Sequence, residues 1–79
     1  MNRESILEKL TDIFRDVFDD ESMELDNTTS PNDVDDWDSL AQIRLIVSVE
    51  GDFNIKFNIN ELGKLKNVGD LISAIERVI

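Results

Sequence analysis

The side chains that could carry chemistry in this sequence are carboxylates and hydroxyls. The 79 residues include 18 Asp and Glu but no His and no Cys, so Ser-His-Asp catalysis, Cys-His catalysis and the usual zinc sites are not available. Paired carboxylates transfer protons efficiently only inside a cleft that shifts one pKa, and a chain of this size leaves little volume for such a cleft. The sequence therefore predicts no catalytic residues and no metal site.

One hydroxyl occupies a position that suits modification. Ser39 follows Asp38 in "DDWDSLAQIRLIVSVEGDF", where an acidic stretch meets an apolar helical pattern. Asp38 is a good N-cap, and the first turn after it offers free backbone N–H groups and the positive end of the helix dipole to a phosphate. Ser39 has no obvious base, so we interpret it as an acceptor of a phosphoryl group rather than a nucleophile. A capping Asp-Ser pair without further role would explain the same two residues.

The charge of the chain limits its partners. Eight Lys and Arg against 18 Asp and Glu give a net charge of −10, which repels nucleic acid and anionic membranes and attracts basic protein surfaces. An acidic surface that only keeps a small domain in solution is the alternative. No apolar run could span a bilayer, and "MNRESILEKL" does not resemble a secretory signal. We expect a cytoplasmic protein without nucleic-acid binding or membrane insertion.

Apolar residues recur at spacings of three and four in three segments, which predicts three main helices. The first runs from about residue 3 to 18. The second begins at Asp38 or Ser39 and ends near Asn54, and because it is apolar over most of its circumference we expect it to be the central helix. The third begins after the cap Asn67. The segment "NINELGKL" can form only a short additional helix.

A long loop is predicted between the first two helices, because "DDESMELDNTTSPND" has no apolar period and many turn-formers. Met23, Leu25, Val34 and Trp37 are the residues that could attach it to the core. Trp37 could equally contact a partner, although a large aromatic beside a helix start more often packs as an anchor. The predicted fold is all-α: one domain, residues 1–79, with three main helices, one short helix and this loop.

Several motifs together resemble the acyl carrier protein family over essentially the whole chain. The family's Asp-Ser-Leu motif matches "DSL" at the start of the second helix, "EGDFNI" is similar to its E-E-E-F-G-I, and "NVGDL" is similar to its T-V-G-D-L. The resemblance implies a non-catalytic carrier in which Ser39 bears 4'-phosphopantetheine from coenzyme A, whose thiol holds acyl groups as thioesters. It also implies that Asp38 contacts the transferase and that Leu40 is presented to partner enzymes.

The resemblance also implies which proteins the chain meets. These are a phosphopantetheinyl transferase, an acyl-loading ligase or transferase, and synthase enzymes whose basic patches face the acidic surface, since exposed charge pairs raise on-rates more than affinity. We expect the carrier to be a monomer. The residues expected to contribute to partner recognition are Trp37, Arg44, Val47 and Glu50.

Departures from the family pattern favour a specialised biosynthetic pathway. Arg44 stands where many fatty-acid carriers have glutamate, and Ala41 and Gln42 are uncharged where acidic residues are frequent. Trp37 before the motif resembles freestanding carriers of polyketide, lipopeptide or polysaccharide assembly. Two alternatives remain open: an aminoacyl or peptidyl carrier, which differs in its loading enzyme, and an acidic helical interaction module that is never modified.

Overall fold

Four helices make up the fold in the computed structural model, which describes residues 2–79 apart from the side chains of Ile59 and Glu61. The predicted all-α class is confirmed, since residues 2–79 contain helices, turns and loops and no strand. No helix within that part of the chain is long and apolar enough to cross a membrane. The helices are α1 (Arg3–Val17), α2 (Ser39–Phe53), α3 (Ile59–Leu62) and α4 (Val68–Val78).

Each of the three longer helices begins at a side chain that caps it. In each case an oxygen of the side-chain amide or carboxylate accepts a hydrogen bond from the backbone N–H three residues later. Such a cap stabilises a helix by about 1 kcal/mol. The end of α2 is also set locally, because Asn54 adopts the left-handed conformation with φ 55°. The three caps are Asn2, Asp38 and Asn67, with N···O distances of 2.8, 2.9 and 2.8 Å.

The central helix is α1, which packs against both α2 and α4. The expectation that α2 would be central was wrong, because only one side of α2 enters the core. Its buried residues are Ala41, Leu45, Ile46 and Val49, whereas other apolar residues of the same helix face solvent. The apolar circumference of α2 is therefore divided between the core and the surface.

The long loop between α1 and α2 is attached to the core at the predicted positions. Met23, Leu25 and Val34 are half-buried against the core, and Trp37 is buried within it. The indole of Trp37 meets the ring of Phe14 edge to face, with ring centroids 5.2 Å apart. This geometry is favourable for aromatic pairs, so the end of the loop that leads into α2 is fixed to α1.

The same loop is also joined to the start of α4. The backbone N–H of Val68 donates to the carbonyl of Thr29 at 2.8 Å, and the N–H of Gly69 donates to the carbonyl of Asn27 at 2.9 Å. A Cβ atom at Gly69 would lie 2.8 Å from the Asn27 oxygen, closer than real Cβ contacts allow. Glycine is therefore required at this position by the close approach of the loop backbone.

Candidate functional site

Ser39 is the first residue of α2 and is exposed. The Asp38 carboxylate accepts the N–H of Ala41, and the Asp38 carbonyl accepts the N–H of Gln42 at 2.9 Å. Within residues 2–79, no hydrogen-bond partner engages the Ser39 hydroxyl or the backbone N–H groups of Ser39 and Leu40. The hydroxyl therefore faces solvent beside two free N–H groups, at the positive end of the α2 dipole.

The start of α4 differs from the start of α2, although an Asn or Asp side chain caps each helix. The first four N–H groups of α4 are all bonded: two to the loop carbonyls of Asn27 and Thr29, and two to Asn67. The loop backbone covers the N-terminal end of α4. At α2 the corresponding end is open to a ligand or an enzyme.

Besides Ser39, three of the predicted site residues lie exposed on α2. Leu40 is 67% exposed and Val47 is 63% exposed, and Arg44 is exposed between them. Ile43 lies on the same exposed side of α2 as Leu40 and Val47 and is 61% exposed. It was not among the predicted recognition residues. Its spacing from Leu40 and Val47 is the signal that could have identified it.

Trp37 lies in the core and not on the surface. Its side chain is 7% exposed, and its Nε1–H donates to Oε1 of Gln42 at 2.6 Å. This corrects the expectation that Trp37 contributes to partner recognition, because a buried indole offers little area to another protein. The packing role, which the sequence also allowed, is the one that the structure supports.

The Glu50 side chain forms a hydrogen bond with the backbone of the segment that follows α2. The side chain is half-buried, and Oε2 accepts a hydrogen bond from the backbone N–H of Phe57 at 2.9 Å. This carboxylate holds the segment that follows α2. Its expected role in partner recognition is therefore secondary to a structural one.

Two open grooves lie on either side of Ser39. One, of about 500 Å³, is mostly apolar: apart from Ser39, Asp38 and Gln42, its lining residues are Pro31, Trp37, Ile43, Leu62 and Leu65. The other, of about 450 Å³, is acidic: Leu40 and Arg44 lie in it together with the carboxylates of Asp16, Asp19, Asp36 and Asp38. Ser39 thus lines the mostly apolar groove, and its two neighbours in the chain, Asp38 and Leu40, line the acidic one.

Two carboxylates of the long loop are held in their charged form by local hydrogen bonds. The hydroxyl and the N–H of Thr28 donate to Asp26 at 2.7 and 2.8 Å, and these bonds lower the pKa of Asp26. The hydroxyl and the N–H of Ser22 lower the pKa of Asp20 in the same way. The turns of the loop therefore favour ionised carboxylates.

Comparison with known proteins gives one consistent family. Residues 8–75 match the family model described as phosphopantetheine attachment site. The chain is 34% identical over 77 residues to the acyl carrier protein of Lactobacillus acidophilus, which covers 96% of this chain and 95% of that protein. The solution NMR structure of holo acyl carrier protein from Geobacter metallireducens has 55% sequence identity and a TM-score of 0.85, covering 90% of this chain and 82% of the other.

The helical bundle and the capped start of α2 are therefore those of a phosphopantetheine-carrying domain. The chain belongs to the acyl carrier protein family. Its cofactor is covalently attached phosphopantetheine.

Proposed function

We propose that Ser39 carries the 4'-phosphopantetheine and that the chain holds acyl groups as thioesters on the pantetheine thiol, with no catalysis of its own. The observation that supports this most directly is the exposed Ser39 hydroxyl beside the free N–H groups of Ser39 and Leu40. The residues fit the group, because free N–H groups at a helix start stabilise phosphate oxygens. The thiol of the attached group supplies the thioester chemistry that the protein's own side chains lack.

Attachment requires Ser39 to act as the acceptor in a phosphoryl transfer. The Ser39 oxygen attacks the pantetheine-bearing phosphorus of the coenzyme A pyrophosphate, so that a new O–P bond forms and the bond to adenosine 3',5'-bisphosphate breaks. Among the described residues, no side chain forms a hydrogen bond with the Ser39 hydroxyl, and the nearest capping carboxylate, Asp38, is directed to the N–H of Ala41. The proton of the hydroxyl therefore leaves to a base of the transferase. The carrier contributes an accessible oxygen on a rigid helix start.

The proposed partners are a phosphopantetheinyl transferase, an acyl-loading enzyme and synthases. The carrier is proposed to be a monomer that meets these enzymes in the cytoplasm. Coenzyme A supplies the phosphopantetheine there. The acidic groove beside Ser39 supports partners with basic patches, because its carboxylates would speed their approach. Arg44 and Val47, exposed on α2, are proposed to take part in recognition.

A specialised pathway is proposed for this carrier, such as polyketide, lipopeptide or polysaccharide assembly. The support is the composition of α2, which has no acidic residue in its first turn and carries Arg44 on its exposed side. To test this, the holo protein is offered to the acyl transferase of a fatty-acid synthase. We expect the acyl group to be transferred slowly to the native carrier and faster to Arg44→Glu. Equal transfer rates for the native carrier and the variant would contradict the proposal.

The attachment site is tested by intact mass after incubation with coenzyme A, magnesium and a broad-specificity phosphopantetheinyl transferase. We expect one added phosphopantetheine on the native chain and none on Ser39→Ala, which keeps its fold because Asp38 still caps α2. Ser48→Ala, in the same helix, is the matched control and should be modified.

Two outcomes would overturn this assignment. Modification of Ser39→Ala would show that another hydroxyl is the acceptor. If neither the native protein nor Ser48→Ala gained mass, although both were folded and initially unmodified, the chain would be better explained as an interaction module that is never modified.

A further inference from the structure

Gln42 and Trp37 form a side-chain pair in the wall of the mostly apolar groove. Both residues line this groove together with Ser39, and Nε1 of Trp37 donates to Oε1 of Gln42 at 2.6 Å. An indole N–H can only donate, so this bond requires the amide oxygen of Gln42 to face Trp37. The orientation of the Gln42 amide is therefore fixed, with its nitrogen directed away from the indole.

The amide nitrogen of Gln42 carries two N–H donors. Within the described part of residues 2–79, no acceptor forms a hydrogen bond with them, and the oxygen of the same amide is occupied by Trp37. Gln42 is half-buried, and a partly buried donor without an acceptor is less favourable than a paired one. Because most of the groove wall is apolar, this amide marks the point at which a bound group can place an acceptor oxygen.

Gln42 lies one turn after Ser39 on the same side of α2. The two residues are three positions apart, which corresponds to about 4.5 Å along the helix axis, and both line the groove. A group attached to the Ser39 oxygen therefore passes Gln42 within its first few bonds when it lies in this groove.

The charges around Ser39 favour this groove over the acidic one. A phosphodiester on Ser39 carries a negative charge, and the acidic groove presents four carboxylates against the single guanidinium of Arg44. In the mostly apolar groove, Asp38 is the one charged residue among the described lining residues. Repulsion by the acidic groove therefore directs an attached phosphodiester and the chain that follows it toward Gln42.

We propose that the pantoyl part of the phosphopantetheine arm rests in the mostly apolar groove and accepts a hydrogen bond from the Gln42 amide, with Trp37 as the positioning residue. The pantoyl part follows the phosphate directly and carries two methyl groups beside a hydroxyl and an amide carbonyl, which matches an apolar wall with one fixed donor. The proposal deepens the carrier function and rests on Ser39 as the attachment site. Held at Gln42, the arm swings from a point one turn further along α2, so its thiol covers a smaller region around the carrier.

The test uses protein labelled with ¹³C and ¹⁵N that carries an unlabelled arm, with intact mass confirming the attachment. Isotope-filtered NOE spectra then detect arm protons that lie close to protein protons. We expect NOEs from the pantoyl methyl groups to the methyl groups of Ile43 and Leu62 and to the side-chain amide of Gln42. The side-chain amide signals of Gln42 should also shift when the arm is attached.

Gln42→Glu separates the donor from the bond to Trp37. A carboxylate can accept the indole N–H but has no N–H to donate, so the Trp37 indole proton should stay protected from solvent exchange. The pantoyl NOEs to Ile43 and Leu62 should weaken, because the ratio of resting to free arm falls about two- to fivefold on loss of one hydrogen bond.

Lys64→Gln is the matched control for Gln42→Glu. It changes the net charge of the chain by the same amount, at an exposed residue that lies in sequence between Leu62 and Leu65. The pantoyl NOEs of this variant should equal those of the native chain.

Three results would overturn the proposal. No added mass on folded native protein would overturn the attachment site and the resting position together. Added mass without pantoyl NOEs to the groove would overturn the resting position alone. Equal NOEs in native and Gln42→Glu protein would show that the Gln42 donor does not hold the arm.

Discussion

The Glu50 carboxylate and the Phe57 backbone N–H are joined by a hydrogen bond of 2.9 Å that connects α2 to the segment leading into α3. The segment after Phe57 includes Leu62, which lines the apolar groove beside Ser39. One side chain of α2 thus helps to place the opposite wall of that groove.

Replacing Glu50 separates the hydrogen bond from the charge. Glu50→Ala leaves the half-buried Phe57 N–H without its acceptor and should lower the free energy of unfolding by about 1 kcal/mol. Glu50→Gln should retain most of this stability, because its amide oxygen can accept the same bond. Urea denaturation followed by circular dichroism measures both, with Asp52→Ala as an exposed control that removes a nearby carboxylate. Equal losses for Ala and Gln would contradict the predicted role of the bond.

Two glycine substitutions should have opposite signs. Gly69→Ala places a methyl group 2.8 Å from the Asn27 oxygen, so we expect a loss of about 1–3 kcal/mol despite the better helix propensity of alanine. Gly51→Ala lies in α2, where the new Cβ would meet nothing within 4 Å beyond its chain neighbours and the backbone of its own helix, and it should stabilise the protein by up to about 1 kcal/mol. Thermal unfolding measures both variants. A stabilised Gly69→Ala would show that the loop does not hold its close position on α4.

Trp37→Phe should change stability without changing recognition. The variant loses the bond from Nε1 to Gln42 and part of the buried aromatic area, so we expect about 1–2 kcal/mol of destabilisation. The rate of phosphopantetheine attachment should stay the same under conditions in which the variant is folded, because Trp37 is 7% exposed. Unfolding curves and attachment rates are measured on the same samples. If Trp37→Phe were modified more slowly while its stability stayed unchanged, Trp37 would have to contact the transferase.

The hydrogen bonds to Asp26 predict how its contribution to stability depends on pH. The pKa of Asp26 is lowered from 3.8, mainly by the Thr28 hydroxyl, so the unfolded chain takes up the proton first as the pH falls. The stabilisation is complete above the ordinary pKa and is lost as the pH falls through the lower, folded value. The melting temperature of Asp26→Asn should therefore lie below that of the native chain at pH 6, and the difference should shrink below about pH 4.

Asp35→Asn is the control for this pH experiment. It removes the same charge from the same loop, at a side chain that accepts no hydrogen bond from the rest of the described chain. Its effect reports the relief of general repulsion in a chain of net charge −10. A parallel pH dependence in Asp26→Asn and Asp35→Asn would contradict a specific effect of the Thr28 bonds.

The parts of the fold that depend on neighbouring residues could be predicted from the sequence. Asp38 and Asn67 cap their helices through N–H groups three residues away, and Asn54 ends α2 through its own backbone conformation. These interactions are decided within one turn of the chain. For the same reason the position of Ser39 at the start of α2 followed directly from the residues around it.

The parts that depend on distant residues could not be predicted. The apolar period of α2 includes both buried Leu45 and exposed Val47, and periodicity alone does not tell which side meets α1. The need for glycine at position 69 arises from the Asn27 carbonyl, and the role of Glu50 arises from Phe57. Each of these requires the path of a loop in space, which no local pattern in the sequence contains.

The position of the tryptophan has an optical consequence. Trp37 is the only tryptophan of the chain. It is one of the residues that line the apolar groove that includes Ser39, and its buried indole packs on Phe14 of α1. Its ultraviolet emission therefore responds both to unfolding of the core and to a change of polarity in the groove. A label-free fluorescence trace of this protein would follow the surroundings of Ser39 in real time.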